Sequence, residues 1–395
     1  MDGPRRWQYR HTVLTLCTMA LFATMVARLA ISPVVPAITE EFGVSNAAVG
    51  LALTGMWLTY GLAQYPSGVF ADRYGERPVI LVAVAGTAIG SLLIAVAPLF
   101  PLFVLAAIVL GALAGLHFSV ATTLLTRIYD DDVGAAIGLH TLGGTAGGLL
   151  APVVAAWIGV NYGWRPAVAI GTAIAIPVFV LFAWRVRPTE PRRPDEPMAE
   201  RFALEPMLEV ITRPQIAFTV VMAVTITFVW QASTSFLPTF LIEHRGQSAA
   251  MAALWFSGFF VVQGLVQVGV GGLSDRYGRD PVTLVCLALA AAGFLLFAVV
   301  PGEAAILAAV ALAGVGLSAY AAVTARFMDV FTEAERGAAF GLTQSTNMVI
   351  SSSGSVVTGL FADLFGWAVA FAFLAVLLTG AFCALAVNQF FDLGY

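Results

Sequence analysis

Long apolar stretches separated by short polar turns fill almost the whole chain of 395 residues, of which 59% are hydrophobic and 11% charged. A soluble domain carries about 25% charged residues, and a helix needs about 20 apolar residues to cross a bilayer. Because backbone groups in lipid must bond within their own segment, each stretch predicts a helix. The pattern predicts twelve membrane-spanning helices at 12–37, 46–69, 78–97, 101–125, 134–160, 165–186, 215–242, 249–271, 281–300, 303–325, 337–361 and 367–390.

The chain repeats itself after 203 residues. The turn GVFADRYGERPV at 68–79 returns as GGLSDRYGRDPV at 271–282, and the same shift carries Tyr162-Gly-Trp164 onto Phe365-Gly-Trp367. A constant shift over separated blocks indicates that one six-helix unit was duplicated, as in membrane proteins built from repeats. We therefore expect an all-α membrane protein with two pseudo-twofold-related six-helix bundles, at residues 1–186 and 214–395.

Residues 187–213 differ from the rest because prolines alternate with charges of both signs. This composition predicts a cytoplasmic linker that starts as an extended tether, and residues 201–212 are a candidate short surface helix. All 19 basic residues are arginines, and all but Arg28, Arg165 and Arg245 fall on the side of the N-terminus. This asymmetry predicts a plasma- or inner-membrane protein with both termini in the cytoplasm.

The sequence speaks against several other kinds of site. A Walker-type phosphate loop needs a lysine, and the chain has none. The metalloprotease motif HExxH and the nucleophile motif GxSxG are also missing. Cys17, Cys286 and Cys383 lie in apolar runs without metal or disulfide spacing. We expect a monomer in the lipid bilayer that is not an enzyme and has no cofactor, metal or nucleic-acid partner.

The repeated turn, the two six-helix halves and the long central loop resemble the major facilitator superfamily over essentially the whole chain. The resemblance implies rocker-switch transport, in which two bundles pivot about a central substrate cavity. Glu76 and Asp280 depart from the pattern, since the family usually has basic residues there. The matching residues, expected to form the gating motif, are Gly68, Asp72, Arg73, Gly75 and Arg77 in the first copy and Asp275, Arg276, Gly278 and Arg279 in the second.

In this mechanism the two turns are expected to hold the cytoplasmic side shut. Asp72 is expected near the start of helix eleven, around residue 337, and Asp275 near the start of helix five, around residue 134. Helix N-termini are partly positive and attract carboxylates. Gly75 and Gly278 are expected to supply the tight turn itself. The alternative is that the turns only set the topology.

Arg28 is the charged residue in the interior of the predicted spans, and the one acidic residue within their bounds, Glu303, is the first residue of its span. A charge inside the bilayer is costly and marks a functional site by default. An anionic substrate is the partner that best explains it; the alternative is a structural arginine held by carbonyl groups and water. Arg28 with Pro36 also resembles the organic-anion and organophosphate branches of the family. The organophosphate branch has a second arginine where this chain has Gln231, so a monoanion such as a carboxylate fits better.

Polar residues recur at matching positions of the two halves: the repeat pairs Arg28 with Gln231 and Gln64 with Gln267. Such pairs predict a shared substrate cavity, with interhelical hydrogen bonds as the alternative role. The candidate substrate-binding residues besides Arg28 are Tyr60, Gln64, His117, Gln231, Gln263, Gln267, Gln344 and Asn347, with Trp57 and Trp230 as aromatic candidates.

His117 and His140 are the interior groups expected to titrate near neutral pH. Each can carry a proton, bond to substrate or simply pack. The missing interior acids argue against acid-based proton coupling, so uniport, anion exchange and coupling through His117 stay open. The sequence thus predicts a transporter of a small organic anion, with an exporter of apolar or cationic compounds as the alternative. A non-transporting receptor of the same fold would need a sizeable soluble output domain, which we do not expect.

Overall fold

The computed structural model describes residues 8–129, 132–194, 212–332 and 336–395, and for residues 336–339 it describes the backbone alone. Every regular element in these ranges is helical. The helices are α1 (Tyr9–Leu29), α2 (Val35–Phe42), α3 (Asn46–Tyr74), α4 (Glu76–Val96), α5 (Phe100–Ala114), α6 (His117–Ile128), α7 (Val133–Tyr162), α8 (Trp164–Arg185), α9 (Pro214–Glu243), α10 (Ala249–Tyr277), α11 (Arg279–Val299), α12 (Glu303–Leu317), α13 (Tyr320–Val330), α14 (Arg336–Ser351), α15 (Gly354–Phe365) and α16 (Trp367–Phe390).

Eleven helical stretches of the described chain are long and apolar enough to cross a membrane. They correspond to the predicted spans except for the second. Helix α3 has the length, but Tyr60, Gln64 and several glycines make it less apolar than the others. The predicted all-helical membrane fold is confirmed.

Several spans in the described chain consist of two helices in succession. α5 ends at Ala114 and α6 begins at His117, while α12 ends at Leu317 and α13 begins at Tyr320, so these two breaks lie at equivalent positions of the repeat. In the first span a 3-10 turn joins α1 to α2, and near Ser352 α14 gives way to α15. The repeat counterparts of these two spans, α9 and α7, are continuous. The two copies of the duplicated unit therefore differ in which helices bend.

Contacts group the chain into two compact units: unit 1, Met1–Ile31 with Thr59–Phe202, and unit 2, Ser32–Leu58 with Ala203–Tyr395. Only the described residues of these ranges are discussed below. The predicted division at 1–186, 187–213 and 214–395 follows the repeat, whereas these contacts place residues 32–58 with the second half of the chain. The sequence division stays a prediction.

Close backbone packing holds the start of α3 on α15 within unit 2. A Cβ atom added at Gly50 or at Gly359 would lie 2.6 Å from a backbone oxygen of the opposite helix. The Asp363 carboxylate accepts hydrogen bonds from the backbone N–H groups of Asn46 at 3.2 Å and Ala47 at 2.7 Å. The side chain of Asp363 thus caps the N-terminus of α3, where a negative charge is stabilising.

In unit 1, glycines on α7 let α1 approach closely. A Cβ at Gly143 would collide with the backbone oxygen of Thr18, and one at Gly147 would lie 2.8 Å from Cβ of Met25. At Gly144 the nearest atom would be the terminal methyl group of Met25, at an ordinary 3.5 Å. The contact stripe is therefore Gly143 and Gly147, one G-x-x-x-G pair of the kind that packs helices in membranes.

Candidate functional site

Arg28 lies near the end of α1 and is only 2% exposed. Its Nε donates to the backbone oxygen of Thr24 at 3.0 Å, and its Nη2 lies 3.8 Å from Sδ of Met25. The guanidinium carbon stands 4.0 Å from the ring centroid of Tyr60 on α3. A carbonyl group, a thioether and an aromatic ring orient and stabilise the cation, but they add no negative charge. Arg28 is thus held inside the protein, not at the lipid surface.

The break between α5 and α6 brings two predicted site residues towards Arg28. A Cβ at Gly115, in the break, would collide with the backbone oxygen of Tyr60, so α3 passes directly against this point. α6 starts two residues later, at His117. Tyr60 thus contacts Arg28 through its ring and the break before His117 through its backbone, both within unit 1.

His117 and His140 form a buried pair. Both side chains are 0% exposed, and their ring centroids lie 5.5 Å apart. Nε2 of His117 is 3.2 Å from the backbone oxygen of Cys17. In the described structure, Nδ1 of His117 and both ring nitrogens of His140 have no hydrogen-bond partner. Of these two histidines, only His117 is among the predicted substrate-binding residues. The structure shows that His140 is its neighbour.

A hydrogen-bonded cluster joins α9, α13 and α14 in unit 2. Nδ2 of Asn347 donates to Oγ1 of Thr227 at 3.1 Å and to the hydroxyl oxygen of Tyr320 at 3.2 Å. The hydroxyl of Tyr320 in turn donates to Oε1 of Gln344 at 2.5 Å. Sequence reasoning missed Tyr320, although a signal was present: the repeat shift carries His117 onto it.

Gln231 extends this cluster on α9. Its Nε2 donates to Oγ of Ser351 at 3.3 Å, and the hydroxyl of Ser351 donates to the backbone oxygen of Asn347 at 2.5 Å. Oε1 of Gln231 and Oδ1 of Asn347 are buried, without a hydrogen-bond partner among the described residues. The repeat counterpart of Arg28 thus presents a hydrogen-bond acceptor where Arg28 presents a positive charge.

The remaining predicted substrate-binding residues have other contacts. Nε1 of Trp230 donates to Oε1 of Gln263 at 3.2 Å, and the ring of Trp230 meets that of Trp57 edge to face with centroids 5.5 Å apart. Gln64 is half-buried and Gln267 is exposed. A role in substrate binding stays a prediction for all these residues.

The first gating turn packs against the beginning of the linker. Gly75 has φ +87°, which favours glycine, and a Cβ there would collide with the backbone oxygen of Thr189. The backbone N–H of Arg77 donates to Oγ1 of Thr189 at 3.0 Å, and that of Arg193 donates to the backbone oxygen of Asp72 at 2.9 Å. Residues 187–194 thus contain no helix and are bound to the turn. Residues 195–211, with the predicted surface helix, lie outside the described residues.

Glu76 and Asp280, the two departures from the family pattern, both pair with arginines. Glu76 is 1% exposed and accepts a hydrogen bond from Nη1 of Arg127 at 2.7 Å. Asp280 accepts one from Nε of Arg326 at 2.8 Å. In each copy the arginine belongs to the helix after the break, α6 or α13. The acidic residues therefore have a structural role within each copy.

The second gating turn has a similar backbone, but its glycine has more space around it. Gly278 has φ +93°, and the nearest atom to an added Cβ would be a side-chain atom of Pro281 at 3.5 Å. Nε of Arg279 donates to Asp329 at 2.9 Å, and its Nη1 bonds to Asp275 one turn earlier. The other motif residues are placed as follows: Arg73 stacks on Tyr74, Arg276 stacks on Tyr277, and Gly68 has open space around an added Cβ.

The predicted contacts of Asp72 with the helix start near residue 337, and of Asp275 with that near residue 134, stay predictions. Of residues 336–339 only the backbone is described.

Comparison with known proteins extends these observations. The family model described as Major Facilitator Superfamily matches residues 17–256 and 241–390. The chain is 29% identical over 189 residues to membrane sensor protein UhpC of Escherichia coli (strain K12), covering 47% of this chain and 43% of that protein. It therefore spans less than half the length of that relative. It is 25% identical over 299 residues to multidrug resistance protein MdtG of Enterobacter lignolyticus (strain SCF1), covering 73% and 70% of the two chains.

Solved structures share the fold over nearly the full chain. The crystal structure of a bacterial homolog to the human lysosomal transporter Spinster, in its inward-facing and occupied conformation, has a TM-score of 0.82 at 18% identity and covers 97% of both chains. That of a D-xylose-proton symporter has a TM-score of 0.78 at 17% identity, covering 96% of this chain and 97% of that one. At such identities the likeness concerns the fold alone.

Proposed function

The chain belongs to the Major Facilitator Superfamily of membrane transporters, and from this premise we propose that it moves a small organic monoanion by rocker-switch alternating access. The protein is a multi-pass membrane protein. Its location in the plasma or inner membrane, with both termini in the cytoplasm, is part of the proposal.

The observation that carries the proposal is the buried positive charge of Arg28. Its contacts with Thr24, Met25 and Tyr60 are with neutral groups, which fix the direction of the guanidinium. A carboxylate offers this planar donor group two oxygens and the opposite charge, the strongest type of hydrogen bond available to it. Because Gln231 stands at the equivalent position of the repeat, the two positions together carry one positive charge, which matches a monoanion better than a dianion.

A second candidate is an exporter of apolar or cationic compounds. Two observations favour it: the likeness to proteins named multidrug resistance protein MdtG, over 73% of the chain, and the two buried acceptor oxygens of Gln231 and Asn347. Those oxygens would accept hydrogen bonds from an ammonium or hydroxyl group. The edge-to-face pair of Trp57 and Trp230 would suit an apolar or cationic ligand.

A thermal-shift screen of the full-length protein in detergent tests the proposal. The probes are acetate, lactate, pyruvate and benzoate as monoanions, inorganic phosphate and succinate as multiply charged anions, and tetraphenylphosphonium as an apolar cation. The test variant is Arg28→Gln. Arg165→Gln is the matched control, because Arg165 also bonds to backbone oxygens, at 2.9 and 2.8 Å, and stacks on Trp164.

We expect a monoanion to raise the melting temperature of the wild type and of Arg165→Gln, but not of Arg28→Gln. At a concentration of 100 times Kd the stabilisation should be about 2.7 kcal/mol. Equal stabilisation of Arg28→Gln would remove Arg28 as the ligand. Stabilisation by the cation alone would favour the exporter. Binding without uptake of the radiolabelled anion into proteoliposomes would indicate a sensor, the kind of protein that UhpC is named for.

A further inference from the structure

An exposed apolar stripe on α8 leads to two arginines at the end of that helix. Ile176, Val180 and Trp184 follow each other at intervals of one turn and are 51%, 55% and 71% exposed. In a multi-pass membrane protein, apolar side chains exposed in this way face the acyl chains of the lipids. Tryptophan is typical of the boundary between acyl chains and headgroups, so the stripe reaches the headgroup level at Trp184.

Both arginines at this level are held against aromatic rings. The guanidinium carbon of Arg185 stands 4.1 Å from the ring centroid of Trp184. That of Arg187 stands 4.8 Å from the ring centroid of Tyr9, and the backbone N–H of Arg187 donates to the hydroxyl oxygen of Tyr9 at 2.8 Å. Val186 lies between the two arginines with extended backbone and is buried, so both of their side chains point away from the core. Their Cα atoms are at most about 7 Å apart.

The guanidinium groups of Arg185 and Arg187 keep their N–H donors free. Neither group makes a hydrogen bond or an ion pair with any residue that the structure describes. Arg165, at the other end of α8, is different: it stacks on Trp164 but donates to two backbone oxygens. Stacking occupies the face of a guanidinium and leaves its N–H edge, which matches two oxygens of a phosphate group. The two arginines are therefore oriented for an anion that the protein does not supply.

The second copy of the repeat lacks this arrangement. The shift of 203 residues carries Trp184, Arg185 and Arg187 onto Val387, Asn388 and Phe390. Val387 and Phe390 are exposed, so the end of α16 also faces the surroundings, but these positions carry no positive charge. Positive charge that sets membrane orientation can lie anywhere in the adjoining loops, whereas recognition of a ligand needs it fixed in one place. Stacking at the end of the α8 stripe is thus a feature of recognition.

We propose that Arg185 and Arg187 form a binding site for the headgroup of an anionic phospholipid, whose acyl chain lies along the exposed stripe of α8. The two cations are close enough to share one phosphate. Because no carboxylate of the described residues pairs with either arginine, the site favours a headgroup without an ammonium group. The adjoining apolar stripe favours a lipid over a soluble phosphate. The inference does not depend on which solute the protein transports.

The site also joins two helices of unit 1. Tyr9 is the first residue of α1, and Arg187 follows the last residue of α8 by two positions. A phosphate held by both arginines would therefore lie against the start of one helix and the end of the other. Bound lipid should stabilise this end of the bundle, since a ligand that binds only the folded state raises its stability.

Native mass spectrometry of the full-length protein in a non-ionic detergent tests the site by counting bound lipids. The probes are phosphatidylglycerol, phosphatidylcholine, which has the same phosphate with an added ammonium group, and glycerol phosphate, which has no acyl chains. The test variants are Arg185→Gln, Arg187→Gln and Arg187→Lys. Arg192→Gln is the matched control, because Arg192 is exposed in the same stretch and stacks on no ring of the described residues.

We expect the wild type to bind phosphatidylglycerol more tightly than phosphatidylcholine, with no glycerol phosphate bound at this site. Arg185→Gln and Arg187→Gln should each weaken the binding of phosphatidylglycerol about fivefold, whereas Arg192→Gln should bind it as the wild type does. Arg187→Lys keeps the charge but loses the planar fork and its stacking, so its affinity should fall between those of the wild type and Arg187→Gln.

Three results would overturn the inference. Equal affinity of the wild type for the two lipids would show that the negative charge of the headgroup is not recognised. Equal weakening by Arg192→Gln and the two test substitutions, or full binding by Arg187→Lys, would show diffuse attraction in place of a site. Glycerol phosphate that binds the wild type and is lost in Arg185→Gln would replace the lipid by a soluble phosphate compound.

Discussion

The hydroxyl of Ser32 donates a hydrogen bond of 3.0 Å to the backbone oxygen of Ser235, the residue 203 positions later that is its equivalent in the repeat. Oγ of Ser235 lies 2.7 Å from Oγ of Ser355. Residues equivalent in sequence therefore bond to each other within unit 2. Their backbones differ, because Ser32 lies in the 3-10 turn between α1 and α2 whereas Ser235 lies within the continuous helix α9.

Asp363 should stabilise the protein by capping α3. Asp363→Ala removes the acceptor of three hydrogen bonds from Asn46 and Ala47, and should cost about 1 kcal/mol, as for other helix caps. The measurement is thermal unfolding in detergent. Asp132→Ala is the control, since Asp132 precedes α7 without capping it through its side chain. Equal effects of the two substitutions would show that the cap is not stabilising.

The ion pair of Glu76 and Arg127 should contribute strongly to stability, because the carboxylate of Glu76 is buried. Arg127→Gln leaves the carboxylate of Glu76 buried without its cation, and should cost about 3 kcal/mol, the low end for buried pairs because Arg127 is partly exposed. The double variant with Glu76→Gln should recover most of this loss. Arg185→Gln, which changes an exposed arginine on Trp184, should be nearly neutral. Additive effects of the two single changes in a double-mutant cycle would contradict the pairing.

The two gating turns should tolerate alanine differently. Gly278→Ala places an L residue at positive φ, and its methyl group has space. The strain alone should lower the free energy of unfolding by about 1–2 kcal/mol. Gly75→Ala adds a collision with the backbone oxygen of Thr189 to the same strain, so its loss of melting temperature should be clearly larger. Equal losses would mean that residues 187–194 are not packed on the first turn in solution.

Two adjacent glycines of α7 provide a matched test of how α1 and α7 pack. Gly143→Ala should separate the helices, because its Cβ meets the backbone oxygen of Thr18. The Cβ of Gly144→Ala meets side-chain atoms of Met25 and Leu21 at ordinary contact distances, so the change should be neutral or slightly stabilising, since alanine favours helix by about 1 kcal/mol over glycine. The measurement is the melting temperature of both variants, which should be lower for Gly143→Ala than for Gly144→Ala. A larger effect at Gly144 would place the contact stripe one residue away from where the structure has it.

Much of the fold could be predicted from the sequence because the bilayer leaves little choice. Backbone groups in lipid can only bond within helices or closed barrels, so apolar stretches of sufficient length determined the spans. The repeated turn motif, the two six-helix halves and the central loop indicated the family. Tyr60 and Gln64 explain the one span that is less apolar than expected. The glycines at positive φ, Gly75 and Gly278, could likewise be read from the turn sequence.

Only the tertiary structure decided which side chains meet. Helix periodicity places Arg28, Tyr60 and His117 on their own helices. Whether these helices come together there depends on the break at Gly115, which packs against Tyr60. The contact between His117 and His140 depends in turn on the close packing of α7 on α1 at Gly143. Such contacts depend on where the helices bend and on where a glycine, which has no Cβ, lets the backbone of a neighbouring helix approach closely. These are properties of two packed surfaces, and a single helix sequence does not contain them.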